Sequence, residues 1–230
     1  MKKKIVIVGA ILSLAAGIAA AQESAPAAAR GFGIGLKAGT AGAGLDLTRS
    51  FGDKFKLRVG YSTYEYSTEL TEEDVDYDAD LRLGGFNLLA DYHPWSGGFR
   101  LTAGGYGVKH RVGGIGKFTG PESTIVINDQ EYSSNELKDV TLDAKWKGFR
   151  PYLGLGYDGF NSSKAGLFFT ADAGVILSGE PSLRINATCV NPEVCAAAAA
   201  DIATEENRLR DDISGAKYLP VIQVGLGYRF

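Results

Sequence analysis

Along much of the chain apolar residues recur at every second position, the period of a β-strand that commits one face to an apolar environment. Phe32, Ile34, Leu36 and Ala38 alternate with Gly33, Gly35, Lys37 and Gly39, and Leu45 and Leu47 then alternate more weakly with Asp46 and Thr48. The turn signal Phe51-Gly-Asp-Lys54 leads into Phe55, Leu57, Val59 and Tyr61 set against Lys56, Arg58, Gly60 and Ser62. Phe86, Leu88, Ala90 and Tyr92 alternate with Asn87, Leu89, Asp91 and His93 up to Pro94-Trp-Ser-Gly-Gly98. Phe99, Leu101 and Ala103 follow, set against Arg100, Thr102 and Gly104. Farther on, Pro151, Leu153, Leu155 and Tyr157 oppose Arg150, Tyr152, Gly154, Gly156 and Asp158. Beyond the turn Asn161-Ser-Ser-Lys164, Leu167, Phe169, Ala171, Ala173 and Val175 oppose Phe168, Thr170, Asp172 and Gly174. The last strand is the cleanest, with Ile222, Val224, Leu226, Tyr228 and Phe230 against Gln223, Gly225, Gly227 and Arg229.

This pattern predicts eight strands of an all-β, antiparallel up-and-down transmembrane β-barrel over residues 32–230. Short links follow the second, fourth and sixth strands and long ones the third, fifth and seventh, the arrangement of periplasmic turns and outer loops. The longest link, from about Arg111 to Lys147, contains Ser123-Thr-Ile-Val-Ile-Asn128, which fits an outer-loop hairpin; a ten-stranded barrel is the alternative.

An exported soluble barrel would share the alternation but turn its apolar face inward. Here the other face carries Lys37, Asp46, Lys56, Arg58, Asp91, Arg100, Arg150, Asp158, Asp172 and Arg229 among many glycines, a composition suited to a narrow lumen of opposed charges. The opposite orientation would put Lys56 and Arg58 into lipid at about 2–4 kcal/mol each near the midplane. Phe51, Phe55, Tyr92, Trp95, Phe99, Phe160 and Phe230 fall beside the expected periplasmic ends, as an aromatic girdle would.

The N-terminus adds a route to the membrane. Met-Lys-Lys-Lys, an apolar run from Ile5 to Ala20 and the small residues Ala19-Ala-Ala21 describe a signal peptide over residues 1–21, followed by an Ala-, Ser- and Pro-rich flexible segment over 22–31. Losing Lys2, Lys3 and Lys4 takes the formal net charge from −3 to about −6. No basic cluster points to nucleic acid.

Cys189 and Cys195 form an isolated, closely spaced pair, which in an exported chain predicts a disulfide. Asn191-Pro-Glu193 has the order of an N-cap, a first-turn proline and a first-turn acid, so a short helix is expected in the last outer loop, running through Ala196–Ala200 toward Asp212.

Little else carries chemistry. Glu69, Glu72, Glu73, Asp74, Asp76, Asp78 and Asp80 read as a solvated acidic loop. Asp74-x-Asp76-x-Asp78 begins like a calcium loop, but Ala79 replaces the turn glycine and Gly85 the terminal Glu. Gly33-x-Gly35 and Gly154-x-Gly156 lack the strand-to-helix context of a nucleotide site. His93 and His110 sit in no nucleophile-base-acid motif, so no catalytic, cofactor or metal site is assigned.

Ala90-Asp-Tyr-His-Pro94, Gly98-Phe-Arg-Leu-Thr-Ala-Gly104, Pro151-Tyr-Leu-Gly-Leu-Gly-Tyr157 and Gly225-Leu-Gly-Tyr-Arg-Phe230 together resemble the small proteobacterial outer-membrane β-barrels of the OmpA, OmpX and OmpW types. The resemblance implies residence in the outer membrane, contact with its lipid and lipopolysaccharide, and assembly signalled by Leu226, Tyr228 and Phe230 to the barrel-assembly machinery. The function expected is a non-enzymatic, envelope-structural or surface-interaction role through long outer loops. A narrow solute channel is the second expectation and a lipid A-modifying enzyme the third.

Overall fold

The alternating segments close on one another because each leaves one apolar and one polar edge-on face, and a closed sheet satisfies both without leaving an unpaired strand edge. The computed structural model describes residues 31–72, 75–120, 123–159, 165–213 and 217–230. The expected signal peptide, residues 22–30, Phe160 and the turn at 161–164 lie outside the described residues.

Among the described residues the wall has eight strands: β1 (Phe32–Gly39), β2 (Gly42–Phe51), β3 (Phe55–Glu72), β4 (Val75–Tyr92), β5 (Phe99–Phe118), β8 (Leu137–Asp158), β9 (Gly166–Leu177) and β11 (Tyr218–Arg229). Each pairs antiparallel with the next, and β11 returns to β1, with Gly33 opposite Arg229 and Gly39 opposite Gln223. β9 bridges β8 and β11, which completes the ring. The eight-stranded expectation therefore describes the wall, and the ten-stranded alternative does not.

Three further strands stand outside the ring. β6 (Thr124–Ile127) and β7 (Gln130–Ser133) form a separate hairpin. Asn128 and Asp129 turn it with φ values of 52° and 61°, the left-handed pair that a two-residue hairpin turn requires. β10 (Ser182–Cys189) pairs with the upper half of β8, where β9 has ended. The helix α1 (Pro192–Asp212) follows. It spans the expected range, from the Asn191 cap to Asp212. Asn191 caps it as the sequence order implies, its side-chain oxygen accepting from the Val194 N–H at 3.0 Å. The disulfide joins Cys189 at the end of β10 to Cys195 in the first turns of α1.

The acidic segment corrects an expectation. Its described residues belong to strands rather than a loop: β3 runs to Glu72, and Asp76, Asp78 and Asp80 alternate along β4 opposite Thr71, Glu69 and Ser67. Charge at every second position is itself a strand pattern, but it has no apolar partner face as strong as the one lower in the wall.

Along β3, β4, β5 and β8 the register never slips, yet the meaning of the two faces reverses. Low in the wall Leu57, Val59, Tyr61, Phe86, Leu88, Leu101, Leu153 and Leu155 are exposed on the outside. Higher up the outward positions are Glu65, Ser67, Asp78, Asp80, Arg82, Lys109, Arg111 and Lys147, while Leu81, Leu83, Val108, Val112 and Trp146 share the inward parity. From Phe99 to Gly107 on β5 is a rise of about 20 Å after strand tilt, close to the height of an outer-membrane apolar band.

Candidate functional site

The lumen is the first place to look for chemistry, because there the wall buries charge. Lys37, Asp46, Lys56, Arg58, Asp91, Arg100, Asp158, Asp172 and Arg229 are all buried, the least covered being Lys56 at 9% exposure. Each reaches the interior because it holds the inward parity of its strand. Arg150 shares that parity but sits half-buried at the upper end, where its guanidinium donates to the Lys147 carbonyl at 3.0 Å. It does not join the lower cluster.

Four aspartates and four cations form one connected layer. Lys37 Nζ lies 2.7 Å from Asp46 Oδ1 and also donates to the Asn87 side-chain oxygen. Arg58 grips Asp172 with two nitrogens at 2.8 and 3.0 Å and reaches Asp91 at 3.1 Å. Arg100 adds a 2.7 Å bond to Asp172 and pairs with Asp158. Asp158 is also held by Lys56 and lies 3.3 Å from His93 Nε2. Thr102 donates to Asp91 at 2.7 Å. Two glycines permit this crowding. A Cβ on Gly60 would overlap Asp46 Oδ1, and one on Gly156 would stand 2.7 Å from the Arg100 Nε.

Burying ions is costly unless each finds opposite charge and hydrogen bonds, with several kcal/mol of desolvation per ion at stake. Here every aspartate of the layer faces at least one cation within 3.1 Å. The cavity left among Asp46, Lys56, Arg58, Asp91, Arg100 and Asp158 is about 20 Å³, room for about one water.

Above this layer the lumen changes character. Leu89, Tyr106, Val108, Tyr152, Ile176 and Val221 form a buried apolar cluster, with Trp146 and Leu219 packed on it. The rings of Tyr106 and Tyr152 meet edge to face at 5.2 Å, and the Tyr106 hydroxyl donates to Gln223 Oε1 at 3.2 Å. The charge-only reading of the inner face missed this plug. Its signal was present, since Tyr106 continues the parity of Arg100 and Thr102 beyond the glycines at 104 and 105, and Tyr152 stands between Arg150 and Gly154.

Among the described residues neither histidine is hydrogen-bonded to a nucleophilic side chain. His93 is buried beside an aspartate already engaged by Lys56 and Arg100. His110 pairs across the strands with Trp146 high on β5. Asp76 accepts from Thr71 Oγ1 at 2.6 Å, and Asp78 pairs with Lys117 at 2.9 Å.

The outer cap has its own small core. Ala198 of α1 is fully buried with Ile127, Tyr132 and Leu137, and Phe118, Val140 and Ile202 pack around them. Asp201 accepts from the Tyr132 hydroxyl at 2.6 Å and from the Asn128 amide at 3.0 Å, which holds its carboxyl below the usual carboxylate range. The same bond pushes the Tyr132 hydroxyl up to about 12. On the outside of the extension, burial pushes the Asp143 carboxyl up, but bonds from Arg111 and Lys145 outweigh it and hold it low.

At the lower end Leu226, Tyr228 and Phe230 share the outward face of β11, with Tyr228 and Phe230 rings 5.3 Å apart. Phe55 and Tyr92 pack at 5.1 Å and Trp95 and Phe99 at 5.4 Å along the same rim.

No family model matches the chain, and no curated protein matches it at a significant level. Solved structures do. It superposes on CarO2 of Acinetobacter baumannii with a TM-score of 0.59 at 19% identity, covering 86% of this chain and 98% of that one. CarO of the same organism gives a TM-score of 0.57 at 19% identity, over 86% and 97%. At that identity the likeness concerns the fold. Closed ring and structural neighbors agree: the fold is a closed eight-stranded antiparallel β-barrel like that of these two proteins.

Proposed function

We propose that the chain is a non-enzymatic barrel of the bacterial outer membrane whose lumen is sealed and whose work is done by its outer extension, in envelope structure or surface contact. One observation carries this reading: the lumen is filled twice over, by a paired ionic layer and by an aromatic plug. Water or solute passing through would have to separate the Arg58–Asp172 pair and displace Tyr106 and Tyr152. The buried aspartates favor the non-enzymatic reading, because carboxylates already engaged by guanidinium and ammonium groups are poor general bases.

Export through the signal peptide, delivery to the assembly machinery through Leu226, Tyr228 and Phe230, and contact with membrane lipid and lipopolysaccharide complete the proposal. Deleting Phe230 is expected to lower the folded, membrane-inserted fraction in cells more than a change in the β6–β7 hairpin does. Normal insertion of the deletion would remove the assembly signal from the account.

Liposome swelling tests the sealed lumen. Vesicles carrying the folded barrel in an isotonic solution of a small sugar are expected to swell no faster than empty ones, whereas fast swelling would favor the channel reading. Lipid A mass spectra that change with expression of the protein would favor an enzyme.

A further inference from the structure

The reversal of faces puts one unusual surface at the upper edge of the apolar band. Arg82 on β4, Lys109 and Arg111 on β5, and Lys145 and Lys147 on β8 all point outward. Their register makes them a block: Arg82 is opposite Arg111, Arg111 opposite Lys145, and Lys109 opposite Lys147. Directly below lie Phe86 and Phe149, exposed by 49% and 58%, with rings stacked at 6.0 Å. Gly107 and Gly105 make room for these rings, since a Cβ at either position would overlap Phe86 or Phe149 respectively. Basic side chains, aromatic floor and glycine backbone together line a cleft of about 580 Å³.

The local charge is only partly balanced. Asp143 engages Arg111 through two bonds at 3.1 and 2.9 Å, and Lys145 at 2.6 Å. Asp80 lies 3.7 Å from Arg111 and 3.8 Å from Arg82. At the margins Glu65 stands opposite Arg82 and Arg184 opposite Asp143, so six cations against three carboxylates leave a net charge of about +3. Lys109 and Lys147, the pair nearest the apolar boundary, are exposed, and their ammonium groups have no ion pair or hydrogen bond among the described residues. On the neighboring β3 the outward positions at this height are Thr63, Glu65 and Ser67, so the basic block belongs to one side of the barrel.

A soluble anion would need the cations but not the aromatic floor, and an acyl chain would need the floor but not the cations. A molecule that carries phosphate at the height where its acyl chains begin would use both. One phosphate monoester carries about −1.5 to −2 charges near neutral pH, so a net +3 is matched by two of them rather than one. We propose that this cleft binds a bis-phosphorylated lipid of the outer leaflet, its phosphates on Lys109, Lys147 and the Arg82–Arg111–Lys145 row and its acyl chains against Phe86 and Phe149. The assignment rests on the membrane-spanning reading, because only a bilayer brings phosphate and acyl chain to this height together.

Native mass spectrometry of the folded barrel in detergent tests it with defined probes: diphosphoryl lipid A, monophosphoryl lipid A, phosphatidylglycerol and inorganic phosphate. The wild type is expected to retain diphosphoryl lipid A in preference to the other three. Lys109→Gln/Lys147→Gln should weaken that retention by about tenfold or more. Lys117→Gln, on the same strand but above the cleft and paired with Asp78, should leave it unchanged. Equal retention by the double variant would overturn the site. Equal retention of monophosphoryl lipid A or phosphatidylglycerol would overturn the two-phosphate assignment, and displacement by inorganic phosphate alone would overturn the lipid. Heat-modifiable gel mobility and insertion into vesicles are read on the same samples. A barrel that inserts but ignores the probes fails this inference alone, whereas one that does not insert fails the membrane reading.

Discussion

The lower and upper halves of the wall are made of the same strands and obey opposite rules. Below the level of Tyr61, Phe86 and Phe149, apolar side chains face out and charges face in; above it, Glu65, Asp78, Asp80 and Arg111 face out and Leu81, Leu83, Val112 and Trp146 face in. No bulge or register slip separates the halves on β3, β4 or β5. The period of two therefore fixes which residues share a face, while the solvent on each side decides what that face must be. On the membrane-spanning reading proposed above, lipid outside demands apolar residues low in the wall and water outside demands polar ones above it, and the reversal marks the height where one gives way to the other.

The largest effect should come from breaking the lower half from within. Asp172→Ala removes the acceptor that Arg58 grips with two nitrogens and that Arg100 reaches at 2.7 Å, leaving two buried guanidiniums short of charge. A loss of about 3–5 kcal/mol is expected, measured by urea unfolding of the barrel in lipid vesicles. A loss below about 1 kcal/mol would mean that water already solvates the layer.

A pair of substitutions at one parity sharpens the comparison itself. Val59→Arg places a charge on the outward face amid Phe55, Leu57 and Tyr61, and should cost about 2–4 kcal/mol in the same assay. Ser67→Arg adds the same side chain to the same strand and face, opposite Asp80, and should shift stability by no more than about 0.5 kcal/mol. Equal costs would erase the boundary.

The smallest effect concerns the upper half alone. Asp201 has its carboxyl held below the ordinary value of 3.8 by Tyr132 and Asn128. A lowered carboxyl stabilizes above its unfolded value and loses that contribution as pH falls through its folded one. Docking of α1 on the β6–β7 hairpin should thus be constant from neutrality to about pH 4 and loosen only below 3.8, as read by amide exchange in α1. Loosening that begins near pH 6 would point to another group.

These contrasts also explain what was legible in the sequence. The lower strands were legible because lipid and lumen impose opposite demands on alternate residues: Lys56 and Arg58 against Leu57 and Val59 leave little choice of register or face. The upper strands were not, because water tolerates mixed composition and the alternation there is weak. Asp76, Asp78 and Asp80 consequently read as a loop, although they line one face of β4. Asn191-Pro-Glu193 announced the start of α1 and the run through Ala196–Ala200 to Asp212 its extent, but the surface it packs on, made by β10 and the hairpin, no local pattern encodes. In the lumen the charges were found and the aromatic plug overlooked, since tyrosines on a polar face carry no charge to draw attention. Which cation meets which aspartate depends on the stagger of the closed ring, so Arg58 and Asp172, on β3 and β9, could not be paired from spacing.

The sealed lumen is the claim on which the rest depends, and single-channel recording in a planar bilayer tests it most directly. With the folded barrel inserted, the account predicts no steady current above the bare bilayer, and none that grows with salt concentration. A stable ohmic conductance proportional to salt would contradict it, because ions would then be crossing a layer whose charges are described as spent on one another.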